Sequence, residues 1–413
     1  MPTIDRAACE AMDRDDPLAP ARVRFHLPDG VIYLDGNSLG ALPRATPERL
    51  ARLVTREWGD DLITGWNKHG WVELPRRLGA KIAPLVGAQA DEVLVCDSTS
   101  LNVFKLLSAA LSANPQRRLI LSDSGNFPTD LYMAQGLAAL LGRDHRLELV
   151  PPEGVMERLA EDVAVVMLTE VDYRTGRRHD MAAINERARS HGVLTLWDLA
   201  HSAGAMPVEL DRTGADFAVG CGYKYLNGGP GAPAFLFVAR HWQDRAQQPL
   251  FGWFGHARPF DFDTSYAPRD GIDRFQVGTP PVISMAALEC GLDTFAGIDL
   301  QQVRAKSLAL GDLMIRLVEQ QCAGFGLSLA SPPAGAARGS QVSYAHGHGY
   351  AVMQALIARG VIGDFRAPDL LRFGFTPLYL RFADIWDAVA VLRTVLMQEE
   401  WRRPEFHQRA AVT

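Results

Sequence analysis

Between about residues 91 and 238, short apolar runs alternate with stretches of helical spacing. The runs are 93–96, 119–121, 147–150, 163–168, 193–197, 217–219 and 235–238. Apart from Glu148 and Thr195 they are continuously apolar, as strands buried on both faces are, rather than alternating between apolar and polar. Helical spacing at 102–113 and 181–191 separates some of them. This order predicts an α/β fold whose large domain is a mainly parallel sheet with helices on both faces. In such sheets ligands bind at the carboxyl ends of the strands.

After Pro280-Pro281 the pattern changes. A helix is predicted over 284–295, and a second over 300–321 with Asp299 as N-cap and Gln302 at its third position. Val303, Leu308, Leu313, Met314 and Leu317 give this second helix an apolar stripe suited to bridging two domains. A strand at 341–344, a helix at 350–359 and extended chain with turns over 360–380 make a smaller α/β unit. Near the start, a strand at 31–34 leads into the turn Asp35-Gly36-Asn37-Ser38-Leu39-Gly40. The expected division is an N-terminal segment, 1–50, that joins the small domain, a large domain, 51–298, and 299–413 for the bridging helix and the rest of the small domain.

The chemistry centres on Lys224, a lone lysine in the apolar, glycine-rich stretch Cys221-Gly222-Tyr223-Lys224-Tyr225-Leu226-Asn227-Gly228-Gly229-Pro230-Gly231. Burying an ammonium is costly, so such a lysine points to a neutral amine or one consumed as a Schiff base. The strand ending Trp197-Asp198-Leu199-Ala200-His201 supplies a carboxylate and an imidazole. Together they point to pyridoxal 5′-phosphate (PLP), with Lys224 holding the aldehyde and Asp198 the pyridine nitrogen. His201 either orients that carboxylate or ring or is a structural histidine. Cys96-Asp97-Ser98-Thr99-Ser100-Leu101-Asn102 precedes a helix, where N–H groups and the hydroxyls of Thr99 and Ser100 suit a phosphate or serve as plain caps. Phe127, in Phe127-Pro128-Thr129-Asp130, is placed either to stack on a planar cofactor or to pack in the core. The glycines at 228, 229 and 231 match no phosphate-binding loop pattern and give backbone room around Lys224. His346-Gly347-His348 offers two close ligands, too few for a metal site, so no metal is expected.

Composition narrows the classes. Of the 413 residues, 47% are hydrophobic and 22% charged, which excludes disordered and membrane proteins. A net charge of −6 gives no reason to expect nucleic-acid binding. No apolar run is long enough for a membrane span, and 1–20 lacks the apolar core of a signal peptide. Five scattered cysteines without CxxC spacing argue against zinc and a disulfide framework and for a reducing cytoplasm.

The motifs together resemble the kynureninase family of fold type I, aspartate-aminotransferase-like PLP enzymes. The resemblance runs over Leu34 to Gly40, Asn126 to Asp130, Asp198 to His201, Tyr223 to Asn227, Gly252-Trp253-Phe254-Gly255-His256 and Arg372 to Tyr379. It implies hydrolytic cleavage of the β,γ-carbon bond of L-kynurenine, or its 3-hydroxy derivative, to anthranilate or 3-hydroxyanthranilate and L-alanine, in tryptophan catabolism. The implied cofactor positions are Thr99, Ser100, Phe127, Pro128, Thr129, Asp130, Thr169, Asp198, His201, Tyr223 and Lys224, with Lys224, Tyr223 and Asp198 catalytic. Trp253 and Thr279 would reach the phosphate of a neighbouring subunit, in a homodimer with shared sites; the family often has Asn where Thr279 stands. Arg372 would grip the substrate α-carboxylate, and Trp66 or Trp71 are candidates to face the aryl ring.

Two other readings share the fold. A cysteine desulfurase or selenocysteine lyase needs a cysteine nucleophile on a C-terminal loop, and 323–413 holds no cysteine. A non-catalytic PLP-fold module would not need Lys224, Asp198 and Arg372 together, and no added DNA-binding segment gives it an output.

Overall fold

The computed structural model describes residues 4–142 and 144–409. Residues 1–3 and 410–413, with which the expected N-terminal segment begins and the C-terminal unit ends, lie outside the described residues, as does 143. The predicted runs form one seven-stranded sheet. Its order is Val93–Val95, Ala234–Val238, Phe217–Cys221, Leu194–Asp198, Val163–Thr169, Leu119–Asp123, Arg146–Val150. The five strands from Phe217–Cys221 to Arg146–Val150 pair in parallel. Ala234–Val238 runs antiparallel to both neighbours. The reason lies in the loop that precedes it: 222–233 contains no crossover helix, and without one the chain returns in the opposite direction.

The continuous apolar runs follow from two separate cores. Leu94, Ile120, Met167, Leu196, Leu236 and Val238 pack on one face with Val103, Leu106 and Leu107 of helix Thr99–Ala113. Val93, Val95, Leu119, Leu121, Leu168, Trp197, Phe235 and Phe237 pack on the other, with Leu78 and Ile82 of helix Leu74–Val86 and Met181 and Ile184 of helix Met181–Ser190. Successive side chains of a strand thus enter different cores, which is why the runs do not alternate between apolar and polar.

The second core continues into the C-terminal part. There a four-stranded antiparallel sheet, ordered Ser328–Leu329, Gln341–Ala345, Leu370–Gly374, Asp364–Arg366, packs with helices Leu300–Gln321, Gly349–Ala358 and Phe382–Met397. Helix Leu300–Gln321 has its predicted bounds, but Asp299 accepts from the Gln301 N–H (2.8 Å). Val303, Leu313, Met314 and Leu317 of the predicted stripe are buried, whereas Leu308 is only half-buried and Leu310 completes the buried face. Ile32–Tyr33 pairs in parallel with Val361–Ile362, so the N-terminal segment is stitched to this part by backbone.

The turn 35–40 is held from two sides. Gly374 N–H donates to Leu34 O (2.7 Å), and Gly40 N–H donates to Tyr223 O (2.8 Å). Gly40 lies so close to the lysine loop that a Cβ would meet Lys224 O at 2.4 Å and Asn227 Cα at 2.6 Å. Gly40→Ala is therefore expected to cost about 1–3 kcal/mol, read as a lower urea midpoint at unchanged slope. An unchanged midpoint would mean that the two backbones part without cost.

Candidate active site

A cavity of about 180 Å³ opens at the carboxyl ends of strands Val163–Thr169, Leu194–Asp198 and Phe217–Cys221. Thr99, Ser100, Phe127, Thr129, Asp130, Thr169, Asp198, His201, Tyr223 and Lys224 line it, joined by Tyr173, Ala200 and Cys221. Pro128, Trp253, Thr279 and Arg372 do not line it. Trp253 and Thr279 are exposed, and Trp253 sits among Phe254, Phe260 and Phe262. Trp66 and Trp71 pack edge to face, with Trp66 also against Phe254, away from the cavity wall. His348 stacks on Trp401 with centroids 4.1 Å apart.

One wall is built from helix starts. Helix Thr99–Ala113 begins three residues before the predicted 102, because Ser98 caps it by accepting from the Leu101 N–H. Thr99 and Ser100 therefore stand in its first turn, where backbone N–H groups lack helical partners and the dipole favours an anion. Phe127 is the N-cap of helix Pro128–Leu141, whose first position is a proline, a residue that needs no N–H there. This start directs Asp130 into the interior, where it is 1% exposed.

Asp130 and Asp198 face each other under the cavity. Burial and the neighbouring Asp198 charge push the Asp130 carboxyl well above the usual carboxylate range, with Lys224 acting the other way. Burial also raises Asp198, against Lys224 and the Ala200 N–H, which donates to its Oδ1 (2.8 Å). Two buried carboxyls in contact do not both ionise without a cationic partner. Asp130 Oδ2 finds no hydrogen-bond partner in the protein.

Lys224 is half-buried, and its Nζ lies 3.2 Å from His201 Nε2 and 5.9 and 5.8 Å from the Phe127 and Tyr223 ring centroids. His201 Nε2 is also 3.1 Å from Asn37 O, while its buried Nδ1 is unpartnered. Burial, then the Lys224 and Arg372 charges, hold His201 well below its ordinary pKa, hence neutral. Burial and the neighbouring Cys221 and Asp198 raise the Tyr223 phenol, which stays protonated. Thr169 Oγ1 donates to Asn126 Oδ1, fixing its hydroxyl in the wall.

The arrangement fits a small aromatic aldehyde bearing a phosphate and a ring nitrogen. It offers a helix start with two hydroxyls, a primary amine, and buried carboxyls of which one oxygen is unpartnered. Cys221 ends its strand at the carboxyl edge, so the sheet rule could have placed it here. Tyr173 stands in a loop with no sequence signal. Among the described residues no group of three or more His, Cys, Asp or Glu is arranged to hold a metal, and no helix is long and apolar enough to cross a membrane.

Comparison with known proteins agrees. Solved structures of similar fold include a cysteine desulfurase from Thermococcus onnurineus NA1, with a TM-score of 0.75 and 19% identity over 92% of this chain and 98% of that one. A variant of C-DES with glycine linked covalently to its PLP cofactor also has a TM-score of 0.75, at 18% identity over 95% and 99%. At such identities the likeness speaks for the fold. The Kynureninase C-terminal domain family matches residues 303–392. Kynureninase of Pseudomonas fluorescens is 52% identical over 413 residues, 99% of each chain. Kynureninase of Burkholderia mallei (strain ATCC 23344) is 57% identical over 408 residues, 98% of each. With that identity sustained along nearly the whole length, the chain belongs to the kynureninase family.

Proposed function

We propose that this chain hydrolyses the β,γ-carbon bond of L-kynurenine with PLP, releasing anthranilate and L-alanine. The observation that carries the reading is the Lys224 amine beside a neutral imidazole, over a buried carboxyl pair, in a kynureninase-family chain. The 3-hydroxy derivative is the second substrate to test. All five cysteines are buried, and none lies beyond 322, which leaves a desulfurase reading without a nucleophile.

Thr99 and Ser100 would hold the phosphate, Phe127 would cover the ring, and Asp130 and Asp198 would meet its nitrogen. When bound, the cofactor supplies an electron sink for the pair left at the substrate α-carbon. Lys224 holds and moves the α-proton, and the His201 beside it, being neutral, adds no second positive charge next to the amine. Asp198 keeps a negative charge where the ring nitrogen is protonated, which sustains the sink. Tyr223, kept protonated, donates a proton as the aryl fragment leaves. Tyr223→Phe is expected to lower kcat about 10²-fold, and stopped-flow rates of both half-reactions equal to wild type would remove it from that role.

Trp253, Thr279 and the exposed aromatics around them would meet a second copy in a homodimer whose sites are shared. A cytoplasmic location fits the free thiols. The residue limits 1–50, 51–298 and 299–413 describe the division proposed for the two domains. The deciding assay adds PLP and compares anthranilate release from kynurenine with 3-hydroxyanthranilate release from 3-hydroxykynurenine. Release of neither, with alanine and sulfide formed from cysteine, would overturn the reading.

A further inference from the structure

Two arginines share one carboxylate beside the cavity. Strand Asp364–Arg366 pairs antiparallel with Leu370–Gly374, setting Asp364 opposite Arg372. Arg366, two residues on, projects from the same face as Asp364. Arg372 is 1% exposed and heavily committed. Its Nε donates to Asp364 Oδ1 (2.7 Å), Nη1 to Tyr173 O (2.6 Å), and Nη2 to Ser38 Oγ (2.7 Å) and Asp364 Oδ2. Little of its fork remains for a ligand.

Arg366 differs. Its Nη2 lies 2.7 Å from Asp364 Oδ2 and donates weakly to Ser38 Oγ (3.3 Å), but its Nε is buried without a partner. Its side chain is 37% exposed against 1% for that of Arg372, so it is the more accessible of the two. Its charge acts on His201 and Tyr223, both in the cavity wall. One Asp364 does not neutralise two guanidinium groups, and the nearby Asp35, raised to about 7 by burial and Asp364, adds at most a partial charge. A net positive charge is left beside Tyr173 and His201 of the cavity wall.

We propose that Arg366 holds the substrate α-carboxylate together with Arg372, the pair strung on Asp364 as one anion site. The inference rests on the kynurenine reading and adds the residue that separates an α-amino acid from the corresponding amine. A carboxylate matches the guanidinium fork, and a partly desolvated site strengthens the contact.

The test compares L-kynurenine with kynuramine, the same molecule without its carboxylate, on the PLP-loaded enzyme. Arg366→Gln is expected to raise KM for kynurenine about 10- to 100-fold while the inhibition constant of kynuramine stays at the wild-type value. Arg366→Lys, which keeps the charge without the fork, should recover part of that loss, and it answers the question should the glutamine variant fold poorly. Both constants rising together would mean a structural role and overturn the proposal, as would an unchanged KM. A wild-type enzyme that releases no anthranilate would instead overturn the reaction on which the proposal rests.

Discussion

Replacing Lys224 by alanine is expected to lower kynurenine turnover by at least about 10⁴-fold. The estimate joins two losses, that of the group which moves the α-proton and that of the covalent anchor for the cofactor. The fold should survive, because the Nζ contact of 3.2 Å is to His201 and its other neighbours are the faces of Phe127 and Tyr223. The variant should therefore keep the wild-type denaturation midpoint without cofactor. Added primary amines should restore part of the activity, since the cavity then has room for a free base. The checks are steady-state rates with and without amine, and a variant retaining a tenth of the activity would remove Lys224 from both roles.

Asp198→Asn carries the second large effect, a loss of about 10³-fold in kcat. Asparagine still accepts from the Ala200 N–H, so the local backbone is kept and only the charge is lost. Without that charge a ring nitrogen has no reason to stay protonated, and the sink weakens. The same variant changes stability in the cofactor-free protein. The folded-state carboxyl is raised above its ordinary 3.8, so its contribution is full below that value and is lost as pH rises through the raised one. The Asp198 contribution to the stability of wild-type protein without PLP should fall as pH climbs above about 4, and Asp198→Asn should remove that contribution from the slope. Urea midpoints measured across this range decide it, and an identical slope in both proteins would contradict the burial argument.

The six strands other than the edge strand Arg146–Val150 were readable because nearly every one of their residues is buried. Their direction was not, since an apolar run such as Phe235 to Val238 looks the same either way and only its loop decides. Helix Phe382–Met397 has no Ser, Thr, Asp or Asn at its N-cap: Asp13, far away in sequence, accepts from the Phe382 and Ala383 N–H groups (2.6 and 3.1 Å), and Asp384 from that of Arg381 (2.8 Å). Lys224, Asp198 and the 96–102 and 126–130 motifs stood out because lysines, carboxylates and hydroxyls at strand or helix ends are chemically conspicuous. Asp364 was invisible, being one acid in a short strand whose meaning comes from Arg372 across the ladder. The cavity-lining Tyr173 was hidden in the same way, since a loop's path depends on contacts far away in sequence.

The clamp on the turn 35–40 has a bearing on how the protein is made. Ser38 leaves the ribosome 326 residues before Asp364, and Ile32–Tyr33 waits as long for its parallel partner Val361–Ile362. The seven-stranded sheet and the Lys224 loop are complete well before that. A nascent chain thus holds its reactive lysine beside a turn pinned on one side only, and the arginine pair on Asp364 joins it in the last stage of synthesis.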